Sequence, residues 1–155
     1  MRELERTIRG GERVLDLGSG SGILSITALL LGAKNAIGVD IDPKAEDIAR
    51  ENAAINALYA DRFTAVTGDV IGDRAMMERL GDGYDIVLAN IVADVIIPLS
   101  PVVPHFLTKE GVFICSGILD TRFDEVSAAI ERAGMRIVSS DRQEDWRRIT
   151  AMRAE

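Results

Sequence analysis

Four stretches of this 155-residue chain carry residue types that could hold a ligand or steer a reaction. The first is Val14-Leu15-Asp16-Leu17-Gly18-Ser19-Gly20-Ser21-Gly22, an apolar run that breaks into three glycines at alternate positions. Glycines so spaced let the backbone turn sharply and approach a ligand closely. The dinucleotide fingerprint G-x-G-x-x-G fails in both frames, because its last glycine would fall at Ile23 or at Ser25. Asp16 sharpens the distinction. A carboxylate there would repel a pyrophosphate and attract an ammonium group. S-adenosylmethionine carries an ammonium and a sulfonium but no phosphate, so the motif favours that cofactor over NAD. Asp16, Gly18, Ser19, Gly20 and Gly22 are its candidate binding residues.

The second stretch is Ile37-Gly38-Val39-Asp40-Ile41-Asp42-Pro43. Dinucleotide folds use an acid about 20 residues beyond the glycine turn to accept from ribose hydroxyls, and Asp40 lies 22 residues after Gly18. A helix cap is the alternative, but Asp42 before Pro43 suits that task better. Ile41 is then a candidate contact for the adenine face. In the third stretch, Thr67-Gly68-Asp69-Val70, the Asp69 carboxylate and the Val70 amide could serve the adenine edge, or the segment could be a surface turn. In the fourth, Asp85-Ile86-Val87-Leu88-Ala89-Asn90, a buried strand ends in a polar amide. The carboxyl ends of strands face the ligand crevice in open α/β sheets. Asn90 is therefore the candidate catalytic residue. Its side-chain oxygen and a neighbouring backbone carbonyl would accept from an incoming amine and align its lone pair. A strand-end cap is the alternative.

These residues need strands and helices to position them. Apolar strand-like runs at 13–17, 35–39, 63–66, 84–89 and 111–116 alternate with helical stretches at 22–31, 43–56, 73–80, 94–106 and 123–133. Such alternation predicts a parallel sheet covered by helices on both faces. Pro98, Pro101 and Pro104 predict kinks in the fourth of those helices. Residues 135–141 and 146–152 read as a closing hairpin, and with no helix between them one strand must run against the rest. A single domain over 1–155 is expected from the length.

Composition removes several classes. The net charge of −7 argues against direct nucleic-acid binding and favours a small cation or a basic protein partner. No apolar run reaches the roughly 18 residues of a membrane span. One cysteine, Cys115, gives neither a disulfide framework nor a zinc cluster, so no metal is expected and a cytoplasmic setting is the simplest. Cys115 reads as core, His105 as structural, Trp146 as packing or edge cover, and Asp120, Asp124 and Glu125 as a solvated helix start.

The glycine segment continued through Ile23-Leu24, Gly38-Val39-Asp40-Ile41-Asp42-Pro43 and Leu88-Ala89-Asn90-Ile91-Val92-Ala93 together resemble the ribosomal protein L11 methyltransferase family. So do Ser116-Gly117-Ile118-Leu119 and the tail Glu144-Asp145-Trp146-Arg147-Arg148-Ile149. The resemblance implies a Rossmann-like class I methyltransferase fold, with a seven-stranded, mostly parallel sheet and a C-terminal antiparallel hairpin. It implies methyl transfer from S-adenosylmethionine to amino groups of a large-subunit ribosomal protein, and cofactor roles for Gly18, Asp40 and Asn90. Related nucleobase and glutamine methyltransferases carry Asn-Pro-Pro-Tyr where this chain has Asn90-Ile91-Val92-Ala93, which favours a flexible amine over a planar base. The family's substrate-recognition domain and a threonine-bearing segment would precede Met1, so this stretch alone is expected to turn over poorly on its protein substrate. A small-molecule N-methyltransferase and a non-catalytic cofactor-binding module are the alternative readings.

Overall fold

A computed structural model describes residues 2–154, so Met1 and the expectation attached to it lie outside the described residues. The chain divides into two compact units between Asp69 and Val70.

In the first unit, Asn35–Asp40 (β2) pairs in parallel with Arg13–Leu17 (β1) on one side and Phe63–Thr67 (β3) on the other. Parallel strands bury both faces, and the helices Arg2–Thr7 (α1), Ile23–Leu30 (α2) and Pro43–Ile55 (α3) accompany them. α3 begins as its sequence dictates. Pro43 occupies the first turn and the Asp42 carboxylate accepts from the Lys44 N–H at 3.0 Å. Ala45, Ala49 and Ala53 recur every four residues and form its buried face. Arg62 donates to the Leu29 and Ala33 carbonyls at 3.0 and 2.8 Å, which satisfies acceptors at the end of α2.

Two glycines set the packing. Gly22, at φ +83, starts α2, and a Cβ there would stand 3.1 Å from the Ala49 Cβ. A Cβ on Gly38, inside β2, would stand 2.9 Å from the Ser19 Cβ and Oγ. Asp16, on β1, is buried at 1% exposure, and the Ser25 hydroxyl donates to its Oδ2 at 2.9 Å. Burial pushes the Asp16 carboxyl up to about 6; the Ser25 bonds oppose the shift and the Asp40 charge adds to it.

In the second unit, Tyr84–Asn90 (β4) pairs in parallel with Leu107–Leu119 (β5), β5 pairs antiparallel with Trp146–Arg153 (β7), and β7 pairs antiparallel with Met135–Gln143 (β6). β7 thus runs against the other three, the reversal that adjoining strands required. The helices are Arg74–Leu80 (α4), Ala93–Leu99 (α5), Val103–Phe106 (α6) and Phe123–Arg132 (α7). The helix expected over 94–106 is instead α5, a 3-10 turn at Ser100–Val102 and α6. Proline lacks a donor and suits a first turn, so Pro101 and Pro104 each open a new piece. β5 exceeds the expected 111–116 at both ends, and the polar run Thr108-Lys109-Glu110 hid its start. Tyr84, Phe106 and Phe113 are fully buried, and the Tyr84 hydroxyl donates to the Leu80 carbonyl at 2.6 Å. Among the described residues no helix is long and apolar enough to cross a membrane.

Two stability measurements follow from the first unit. Gly20, at φ +52, has nothing within 4 Å of an added Cβ, whereas Gly22 has Ala49. In urea unfolding Gly22→Ala should therefore cost more than Gly20→Ala, with backbone strain alone worth about 1–3 kcal/mol in each. Equal costs would show that the Ala49 contact does not matter. The second concerns Asp16. The folded state holds its proton more tightly than the unfolded chain, whose carboxyl sits near 3.8. Its stabilising contribution is complete below that value and is lost as pH rises through about 6. Asp16→Asn keeps an acceptor for Ser25 without titrating. Relative to that variant, the native chain should lose on the order of 3 kcal/mol of unfolding free energy between pH 4 and pH 7. A difference that stays flat across that range would contradict the assignment.

Candidate functional site

The turn between β1 and α2 is held from within. Gly18, Gly20 and Gly22 have φ values of +74, +52 and +83, the left-handed region that favours glycine. The N–H groups of Gly18 and Ser19 donate to the Val39 carbonyl at 2.7 and 3.1 Å, and that of Gly22 to the Ser19 carbonyl at 2.9 Å. The Gly20 N–H donates to Asp40 Oδ2 at 2.9 Å, while Asp40 Oδ1 accepts from the Asp42 N–H at 3.0 Å. The Asn52 amide donates to the Ser21 carbonyl at 2.9 Å and ties the turn to α3.

This pattern has a chemical consequence. A phosphate-binding turn aims its N–H groups at the anion. Here the amides of Gly18, Ser19, Gly20 and Gly22 are committed to protein acceptors. A carboxylate offers about four lone-pair directions, so Asp40 keeps capacity for two more donors after the two it accepts. Ile41, next along the chain, is 73% exposed.

The other expected residues are distributed as follows. Asp16 is enclosed beside Ser25 rather than open to solvent. Asp69 is exposed just past β3, and the preceding Gly68 N–H donates to the Asp40 carbonyl at 2.9 Å. In the second unit, Val70 is buried and Asn90 is exposed at the carboxyl end of β4, in register with Ser116 of β5.

Sequence reasoning passed over two groups. Gly38 admits Ser19 against β2; a glycine inside a strand, a known mark of close approach, was the available signal. The second group is a set of arginines around α7. Arg147 meets Asp120 at 2.8 Å and covers the Phe123 ring at 3.6 Å, and Arg122 meets Asp94 and Glu125 at 2.7 and 2.9 Å. Asp120 and Glu125 are thus ion-paired rather than merely solvated, and those arginines hold both carboxyls below their usual range. His105 is exposed with its ring edge-on to Phe106, and burial pushes the Cys115 thiol up to about 12, which leaves it unreactive. Among the described residues no three potential metal ligands cluster.

A family model for ribosomal protein L11 methyltransferase (PrmA) matches residues 1–154. The ribosomal protein L11 methyltransferase of Agathobacter rectalis is 43% identical over 157 residues, covering 99% of this chain and 49% of that protein. The chain thus spans about half the length of the curated relatives it matches. The crystal structure of ribosomal protein L11 methylase from Lactobacillus delbrueckii subsp. bulgaricus matches with a TM-score of 0.90 at 29% identity, covering 100% of this chain and 77% of that one. A TehB-like SAM-dependent methyltransferase from Corynebacterium glutamicum shares the fold alone, with a TM-score of 0.77 at 17% identity over 99% of this chain and 86% of that one. The fold is the Rossmann-like class I methyltransferase fold, seven strands in a mixed, mostly parallel arrangement. On the match across residues 1–154 and the identity to curated relatives, the chain belongs to the ribosomal protein L11 methyltransferase family.

Proposed function

We propose that this chain is an S-adenosylmethionine-dependent protein N-methyltransferase domain, acting on amino groups of a large-subunit ribosomal protein. The observation that carries the cofactor half of this reading is the bond between Asp40 and Gly20. It belongs to a turn in which the Gly18, Ser19, Gly20 and Gly22 amides are committed to protein acceptors, which suits a ligand without phosphate. It leaves Asp40 with acceptor capacity for ribose hydroxyls, beside an exposed Ile41 that suits the adenine face. Asp69 and the Val70 amide would accept from and donate to the adenine edge. Gly18, Ser19, Gly20 and Gly22 would let the backbone approach the methionine portion, with Asp16 supplying negative charge from inside the first unit.

When bound, S-adenosylmethionine supplies a methyl group made electrophilic by its sulfonium. The chain's own residues need only hold and align the partner. The Asn90 side-chain oxygen, with the Ile91 carbonyl, would accept from a neutral amine and direct its lone pair. Such alignment is worth roughly 7–11 kcal/mol of a barrier in favourable cases. The family supports a ribosomal protein as substrate, and the acidic net charge suits a basic one. Both fit a cytoplasmic setting and require no direct contact with nucleic acid.

Calorimetry should detect S-adenosylmethionine and its demethylated product but not NAD. Asp40→Ala should weaken cofactor binding at least about tenfold, because bonds to a charged acceptor are worth about 1.5–3 kcal/mol each. NAD binding without S-adenosylmethionine binding would sink the reading, and unchanged affinity in a folded Asp40→Ala variant would return Asp40 to a structural role. For the substrate, labelled-methyl transfer to ribosomal protein L11, measured with the family's substrate-recognition domain and threonine-bearing segment fused ahead of the chain, should exceed transfer to a panel of small amines. The reverse order would favour a small-molecule enzyme, and tight cofactor binding with no transfer to either in that fusion would favour a binding module.

A further inference from the structure

The strand that carries Ser116-Gly117-Ile118-Leu119 is irregular where it meets Asn90. Between the pairs Cys115–Ile149 and Ile118–Arg147, β5 advances three residues while β7 advances two. Ser116 and Gly117 together thus oppose Arg148. One extra residue in one strand is a β-bulge, a device that recurs beside active sites and re-aims a side chain. Ser116 is also the register partner of Asn90. The bulge therefore falls at the carboxyl end of β4.

Gly117 has φ +79, which an L side chain rarely adopts. A Cβ there would lie 2.9 Å from Asn90 Oδ1 and 3.3 Å from the Ile91 carbonyl oxygen. Those are the two acceptors assigned above to the substrate amine. Two other positive-φ glycines of this unit differ: a Cβ on Gly81, at φ +74, or on Gly134, at φ +90, would meet nothing within 4 Å. Backbone conformation alone therefore does not explain what Gly117 touches. We propose that Gly117 is a positioning residue for the transfer reaction: its bare Cα lets the β5 bulge close on the Asn90 amide and fixes where Oδ1 and the Ile91 carbonyl point. The role in transfer rests on the reading of Asn90 under Proposed function; the packing of Gly117 on Asn90 does not.

The test separates the two. In NMR spectra of the whole chain, the Asn90 side-chain amide pair is the one that vanishes in Asn90→Ala. Gly117→Ala should shift that pair, while Gly134→Ala, with comparable backbone strain and no neighbour, should leave it in place. With the family's substrate-recognition domain and threonine-bearing segment fused ahead of the chain, transfer to ribosomal protein L11 at saturating cofactor should fall roughly tenfold to a hundredfold in Gly117→Ala, the cost of a misplaced reacting group, with cofactor affinity held within about twofold. Once Asn90 is alanine, only the Ile91 carbonyl is left to misplace, so Gly117→Ala should lower transfer by a clearly smaller factor, although its cost in thermal stability remains. An Asn90 pair that does not move in Gly117→Ala overturns the proposal, and so does an equal loss of transfer with and without the Asn90 side chain. If Asn90→Ala transfers as fast as the native chain, the role given to Asn90 fails, and the resonance shift still decides whether Gly117 positions it.

Discussion

The bond from the Gly20 N–H to the Asp40 carboxylate joins two parts of the chain twenty residues apart. It fixes the tip of a turn whose three glycines would otherwise be the most mobile backbone of the first unit, since glycine loses the most conformational freedom on ordering. The other oxygen of Asp40 orders the start of the next helix through the Asp42 N–H, and Asp42 in turn caps that helix through Lys44. One carboxylate thus sets the turn, the end of β2 and the approach to α3. The geometry of the turn depends on it.

What surrounds that bond follows from close packing. Ser19 reaches β2 because Gly38 has no side chain, and α2 reaches α3 because Gly22 and Ala49 are both small. Asp16 is enclosed by the same closeness, which raises its affinity for a proton and makes Ser25 its necessary partner. A buried carboxylate in this position is costly to the fold above its titration point.

Much of this was legible in the sequence for stated reasons. The glycines at 18, 20 and 22 read as a sharp turn, and all three have the positive φ that glycine tolerates. Asp42 before Pro43 read as a cap and is one. The absence of a helix between the last two strands required a reversed strand, and β7 is reversed. Other features were hidden because they depend on tertiary contact. That Asp16 would be enclosed rather than open depends on Ser25, nine residues away. The pairings of Arg122 with Asp94 and of Arg147 with Asp120 span 28 and 27 residues, and no local pattern announces them. The helix over 94–106 was read as kinked, yet three prolines at spacing three were enough to restart it twice. The bulge at Gly117 could be found only from strand register.

We propose that the turn latched by Asp40 is the seat of S-adenosylmethionine. The most direct measurement is a backbone amide NMR titration of the native chain with S-adenosylhomocysteine, the demethylated product. Saturable shifts should be largest at residues 18–22 and at Asp40 and Ile41, with the Gly20 amide remaining protected from solvent exchange because its bond to Asp40 persists in the complex. Shifts confined to other parts of the chain, or a Gly20 amide released on binding, would contradict the account.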